Sequence, residues 1–341
     1  MEDRRRGNIA WYARFASLRC MKRLSGQGTI FPFYHLVSSN PPPHVEHLYN
    51  VRSEKQFARD LEGMLRYYEP VSIEDYLENP SVPGRKRRMV LSFDDGLAEC
   101  HQVIAPMLKR KGIPAIFFLN NDFIDNRGLF YRYRASLLIH HLKKDARGFT
   151  RVAEFLSIPE EQVREAILMV VYNQQPLLEE LARIAELDDA AYLKTHGVYM
   201  TTAQVKELLK WGFHLGGHGL DHPEFYRMKE REIVSQVSNS TRDLQERFGI
   251  RPVCFAFPFT SDGIPEKVID QLLDDGVADV LFGTAGLKRT GRDRFIQRIP
   301  MESLNRPALQ VLRTEYLYYL LKAPLGQNHY FRGKNHQLKR S

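Results

Sequence analysis

The stretch Met89-Val90-Leu91-Ser92-Phe93-Asp94-Asp95-Gly96 decides how the rest of the chain is read. A short apolar run containing Val and Phe predicts a buried strand, and it stops at two adjacent carboxylates followed by glycine. Neighbouring Asp side chains at a strand end repel each other, so one holds its proton unless a cation sits between them. Gly96 permits a sharp turn, which lets both carboxylates face one pocket instead of opposite sides of a sheet. An Asp-Asp-Gly turn capping a helix from Leu97 explains the same residues without any chemistry.

Outward from this point the pattern alternates. Downstream, a helix over Leu97–Arg110 and the strand Ala115–Leu119 follow. Upstream lie a first strand, Thr29–His35, a helix around Phe57, Leu61, Met64 and Leu65, a short strand at Val71–Ile73 and a helix opening near Glu74. Strand, helix, strand at this spacing predicts parallel βα units. Between about Arg127 and Met200 the alternation stops. Apolar clusters such as Leu137-Leu138-Ile139 and Ile167-Leu168-Met169 occur among charges, which predicts an insertion of several short helices. The alternation resumes with a helix to Trp211, a strand over Phe213–Gly216, a helix over Met228–Phe248 and a strand over Val253–Phe257. A helix over Ile264–Leu273, strands at Asp279–Phe282 and Phe295–Ile299, and a helix over Pro307–Lys322 complete it.

The chain of 341 residues is long enough for one large α/β domain or two ordinary ones, and its 43% hydrophobic and 26% charged content excludes general disorder. Cys20, Cys100 and Cys254 form neither a disulfide framework nor a zinc-ligand spacing, which fits a reducing compartment. No run is long enough to span a membrane, and Arg14 and Arg19 interrupt any secretory signal, so a cytoplasmic protein is expected. The net charge is +8, and no nucleic-acid motif accompanies it. Residues 1–28 form a basic segment of their own. Arg4, Arg5 and Arg6 precede a stretch from Asn8 to Leu24 in which Ile9, Trp11, Tyr12, Phe15, Leu18 and Met21 mix with Arg14, Arg19, Lys22 and Arg23. As one helix this gives an apolar face and a basic face. That suits either peripheral contact with an anionic membrane through residues 4–24 or a helix closing one end of the core.

A second chemical element is His218-Gly219-Leu220-Asp221-His222, directly after the strand Phe213–Gly216. Two histidines four apart meet on one side of a helical turn, a spacing suited to chelation. Asp94 or Asp95 supplies an oxygen ligand. Two histidines and one carboxylate leave coordination positions open for water and substrate, as in catalytic zinc sites, and suit non-haem iron equally.

These residues resemble the polysaccharide deacetylase family, also called the NodB-homology domain. Ser92-Phe93-Asp94-Asp95-Gly96 is similar to its first motif, His218-Gly219-Leu220-Asp221-His222 to its second, and Phe255-Ala256-Phe257-Pro258-Phe259 to its third. The resemblance covers residues 29–302, with the helical insertion at 127–200 set aside; a C-terminal helix and basic tail occupy 303–341. It implies a distorted (β/α) barrel with fewer than eight regular strands and a site at the strands' C-terminal ends. It further implies one divalent ion, Zn2+ by family habit, on Asp95, His218 and His222, with Asp94 as general base. The backbone N–H of Phe259 becomes the oxyanion donor, and Pro258 a substrate-binding residue. His35, from its place at the end of the first strand, is either a substrate-binding residue at the mouth of the site or a hydrogen-bonded structural histidine. Two family features are missing. The third-motif arginine is Ala256 here, with Arg298 in a late strand as the candidate replacement. The late histidine that protonates the leaving amine has no counterpart near Arg298-Ile299-Pro300-Met301-Glu302.

The implied reaction is hydrolytic N-deacetylation of an N-acetylated amino sugar in a polysaccharide or glycan precursor. A lipid-linked or nucleotide-linked sugar of cell-surface polysaccharide biosynthesis is expected as substrate. A carbohydrate-binding pseudoenzyme and an iron oxygenase are the two other classes that these residues admit.

Overall fold

The computed structural model describes residues 9–80, 87–302 and 305–331. Arg4–Arg6 and the basic tail from residue 332 lie outside them.

Among the described residues, eleven short strands build two sheets. β1 (Thr29–Ile30), β3 (Tyr68–Pro70) and β4 (Arg87–Met89) form a small parallel sheet in the order β1-β4-β3. The main sheet contains β2 (Pro32–Tyr34), β5 (Leu91–Phe93), β6 (Ala115–Leu119), β7 (His214–Gly217), β8 (Cys254–Ala256), β9 (Val280–Gly283), β10 (Phe295–Gln297) and β11 (Ile299–Pro300). Its order is β10-β9-β8-β7-β6-β5-β2-β11, every pairing parallel. β10 and β11 are consecutive and separated only by Arg298. One passage of chain therefore pairs with β9 on one side and β2 on the other, which nearly closes a (β/α) barrel. Among the described residues, seven passages of chain make the wall, fewer than eight as expected.

The strand β6, Ala-Ile-Phe-Phe-Leu, is buried throughout, as parallel strands covered on both faces must be. Its side chains alternate. Ala115, Phe117 and Leu119 pack into the layer beneath the helices, where Phe93 stacks on Phe117 at 5.2 Å and Tyr34 lies over Phe93. Ile116 and Phe118 point into the barrel with Val90, Phe31, Ala256, Phe282 and Ile296. The glycine pair ending β7 follows from this crowding. A Cβ on Gly216 would lie 2.5 Å from the Phe118 ring and 2.9 Å from the Cys254 carbonyl.

Helix starts follow local capping. Ser53 and Gln56 form a capping box for Glu54–Leu65, and Thr201 and Gln204 another for Thr202–Lys210. Capping also corrects the sequence reading at Val71–Ile73. The strand ends at Pro70, because the Ser72 side chain accepts from the Asp75 N–H and opens the helix Ile73–Glu78. The other strands and helices fall within about two residues of their expected positions.

The helical insertion consists of Tyr131–Leu142, Ala146–Leu156, Glu160–Met169, Gln175–Ile184 and Asp189–His196, around a second apolar cluster that also takes in Leu36, Val45, Leu97 and Phe123 from outside it. The N-terminal stretch is not one helix. Residues 9–13 are helical, the chain breaks, and Ser17 caps a second helix, Leu18–Ser25. Leu18 and Met21 enter the core, so the second half closes one end of it, while Trp11, Tyr12 and Phe15 stay exposed.

Candidate active site

Strict alternation along β5 would send Asp94 into the barrel and Asp95 out toward the helices. Asp95 instead has φ 72° and Gly96 φ 66°, two left-handed residues in succession, and this turn keeps both carboxylates at the barrel mouth. Both are buried, at 2% and 4% exposure.

Asp94 is held by Arg298. Nη1 donates to Oδ1 at 2.6 Å and Nη2 to Oδ2 at 2.8 Å, and Nη1 also reaches the Ser92 hydroxyl at 3.1 Å. The guanidinium is fully buried inside the barrel, with its carbon 4.3 Å from the Phe33 ring centre and 5.0 Å from that of Phe118. Burial pushes the Asp94 carboxyl up, but the Arg298 guanidinium outweighs it and holds the group below the usual carboxylate range.

Asp95 faces the histidines. Its Oδ1 lies 3.5 Å from Nε2 of His218 and 3.2 Å from Nε2 of His222. The His218 Nδ1 is 2.7 Å from the Ala256 carbonyl, which can only accept, so Nδ1 carries the proton and Nε2 presents a lone pair. Burial outweighs the Asp95 charge at His222 and lowers its pKa, which favours neutral imidazole. One donor atom each from Asp95, His218 and His222 lies within 4.8 Å of the others, and all three residues are buried.

The two histidines do not share a helical turn. They sit in an irregular loop, with Gly219 at φ 83° and His222 at φ 60°, and that loop folds the second ring back over the first. Asn120, just past β6, fixes the loop by donating to the carbonyls of His218 at 2.6 Å and Gly219 at 3.4 Å.

The residue set suits a divalent cation. Asp95 Oδ1 is buried without a hydrogen-bond partner, and two imidazole nitrogens converge on it. A buried carboxylate oxygen in that position is costly unless a cation meets it.

His35 ends the first strand at the same mouth. Its Nδ1 lies 2.6 Å from Glu302 Oε2, while Glu302 Oε1 accepts from the His35 and Leu36 amides at 3.0 and 3.3 Å. Burial opposes the charged ring, but Glu302 outweighs it and raises the His35 pKa to about 9. The side chain is about a quarter exposed (26%), so a ligand can reach it.

Residues 81–279 match the polysaccharide deacetylase family, more than half of the chain. The protein belongs to the polysaccharide deacetylase family. Its members are hydrolases of carbon–nitrogen bonds other than peptide bonds. No curated protein matches the sequence. Solved structures give the same fold. The deacetylase PplD of Streptococcus pyogenes, in complex with acetate, superposes with a TM-score of 0.55 at 14% identity, over 84% of this chain and 97% of that one. IcaB from Ammonifex degensii gives 0.53 at 18% identity, over 85% and 98%. A polysaccharide deacetylase from Bacillus cereus gives 0.52 at 12%, over 85% and 69%.

In this deacetylase the remaining residues singled out in the sequence also lie at the mouth. Phe259 adopts φ 55° and places its ring 4.6 Å from that of His222. Pro258, beside it, is buried. Three further residues were not legible from the motifs. Tyr133 donates to Asp95 Oδ2 at 2.5 Å, Phe130 lies 4.2 Å from the His222 ring, and Tyr49 stacks on His35 at 5.1 Å. Tyr133 and Phe130 come from the start of the helical insertion, so that region forms one wall of the site.

Proposed function

We propose that this deacetylase hydrolyses the acetamide of an N-acetylated amino sugar in a polysaccharide or glycan precursor, with one divalent ion held by Asp95, His218 and His222. The observation that carries this reading is the unpartnered Asp95 Oδ1 facing two Nε2 atoms, beside a second carboxylate already neutralised by Arg298. The two imidazoles and one carboxylate are a ligand set that Zn2+ accepts.

When bound, the ion supplies Lewis-acid polarisation and a lowered pKa for water. The chain's own residues divide the proton transfers. Asp94, kept ionised by Arg298, takes a proton from the attacking water as its oxygen bonds to the carbonyl carbon. The Phe259 N–H donates to the negative charge that develops on the carbonyl oxygen. The carbon–nitrogen bond then breaks, and the nitrogen leaves as an amine with a proton from His35, which Glu302 keeps protonated at neutral pH. Acetate and a free sugar amine result. His35 thus takes the part of the late histidine that the sequence lacks, a stronger role than substrate contact alone.

A precursor sugar carried on a lipid or a nucleotide, on the cytoplasmic side, is the substrate class we favour. The three cysteines are free, which suits a reducing compartment, and no described helix is long and apolar enough to cross a membrane. The test is metal analysis of the purified protein together with acetate release from N-acetylated sugars, with Asp94→Asn as control. Stoichiometric metal with acetate release that Asp94→Asn abolishes supports the proposal. Metal without acetate release from any acetylated glycan overturns it.

A further inference from the structure

The N-terminal segment is not absorbed by the active site, and its surface is unusual. Trp11, Tyr12 and Phe15 are 56%, 66% and 78% exposed, yet they touch one another, with ring centres 5.1 Å apart for Trp11 and Tyr12 and 5.6 Å for Trp11 and Phe15. Single exposed apolar residues are ordinary on a protein surface, whereas three large rings gathered into one knot in water call for a partner. The helix that follows, Leu18–Ser25, is anchored through Leu18 and Met21 in the core and turns Arg19, Arg23 and Leu24 outward. Arg14 is exposed as well, and residues 9–25 contain no acidic side chain.

The long helix Ala308–Lys322 packs along Leu18–Ser25. The chain beyond that helix meets the end of Leu18–Ser25 through Arg289, which donates from its side chain to the Ser25 carbonyl and from its backbone to the Asn328 carbonyl. Leu321, in the last turn of the long helix, and Leu325, just past it, are also exposed, at 57% and 71%.

We propose that this surface docks on an anionic lipid bilayer, with Trp11, Tyr12 and Phe15 seated among the headgroups and Arg14, Arg19 and Arg23 against the lipid charge. Amphipathic rings prefer the boundary between hydrocarbon and water, and arginines keep their charge at the surface while their stems lie on apolar ground. Only a negatively charged partner complements a segment with three outward arginines and no acid. A lipid surface also accepts protruding rings without needing a matching pocket. Docking requires no bound metal and no turnover, so it stands apart from the proposed reaction.

The test is co-sedimentation of the full chain with vesicles of phosphatidylcholine alone and of equimolar phosphatidylcholine and phosphatidylglycerol. The wild type is expected to pellet with the mixed vesicles, to stay largely in solution with the neutral ones, and to be released by salt. Trp11→Ser combined with Phe15→Ser is expected to lower partitioning at least about tenfold. Each arginine replaced by Gln is expected to lower it about fivefold. Thermal melts and zinc binding of all these variants should match the wild type, which shows that the fold and the metal site are intact. Wild-type protein that stays in solution with both vesicle types overturns the proposal, as does equal pelleting of wild type and the Trp11 Phe15 variant. A wild-type dimer that this variant converts to a monomer, without vesicle binding, also overturns it and makes the patch a self-association surface.

Discussion

Arg298 grips both carboxylate oxygens of Asp94 from 204 residues further along the chain, at 2.6 and 2.8 Å. It enters from the break between β10 and β11, so the segment that closes the barrel also delivers the cation. The absence of arginine at position 256 therefore leaves Asp94 fully paired: the same charge arrives from a different strand.

Replacing Arg298 with Met is expected to strand a buried carboxylate. Removing one partner of a buried pair costs about 3–5 kcal/mol of stability, which denaturant unfolding measures. The catalytic consequence has a sign. The Asp94 carboxyl is held low, so as a base it fails only when the pH falls through that lowered value. In Arg298→Met the acidic limb of the kcat/KM profile should move to higher pH. An unmoved limb would show that Asp94 is not the group titrating there.

In the proposed reaction His35 and Glu302 set the other limb. With its pKa raised to about 9, His35 is charged at neutral pH and loses its proton as the pH rises through that value. Activity that needs a proton donor should therefore fall near pH 9. Glu302→Gln, which removes the charge that lifts the ring, should bring that limb down toward the ordinary histidine value of about 6.5. His35→Gln should lower kcat by about 10²–10⁴ while leaving metal affinity alone. The pair also contributes stability that is fully present below about pH 6.5 and is lost between there and about 9. Urea unfolding across that window is the check, with Glu302→Gln expected to flatten the trend.

Tyr133 links the helical insertion to the proposed ligand set. Its hydroxyl occupies Asp95 Oδ2 and leaves Oδ1 free to face the histidines. Partners of this kind orient metal ligands, and their loss weakens metal affinity by about ten- to a hundredfold. Tyr133→Phe keeps the ring packed against Phe130 at 5.0 Å and removes only the donor. Competition with a chromophoric chelator should show the weakened affinity, and the metal-free protein should melt somewhat lower because the buried Asp95 Oδ2 loses its donor. Equal affinities would mean that the hydroxyl serves packing alone.

The sequence revealed what local chemistry controls. The alternating strand and helix pattern, Asp-Asp-Gly at a strand end and the presence of a histidine pair each follow from neighbours in the chain. The residues that were hidden act across the chain. Glu302 reads as one acid in an irregular stretch until the closure of the barrel sets it beside His35. Tyr133 is one of two tyrosines in a helix whose packing, not its composition, points it at Asp95. The histidine loop was misjudged as a helical turn for a local reason: positive φ at Gly219 and His222 brings the rings together by a route that their spacing alone does not specify. Ser72 was read as part of a strand because its capping hydrogen bond leaves no trace in hydrophobic periodicity.

Metal should stabilise the folded protein through Asp95 and the two histidines, independently of any substrate. A ligand that binds only the native state adds about 2.7 kcal/mol at a free concentration a hundred times its Kd. Differential scanning fluorimetry of chelator-treated protein with and without added zinc should therefore show a clear upward shift in Tm. Asp95→Asn keeps the shape of the side chain but removes the anion that draws the ion in, and its Tm should respond weakly to zinc. His222→Gln should behave the same way, because His222 Nε2 approaches Oδ1 more closely than any other ring nitrogen, at 3.2 Å. Asp94→Asn should keep the full shift, since Asp94 is committed to Arg298. A shift equal in all four proteins would place zinc elsewhere and leave the histidine pair without its ion.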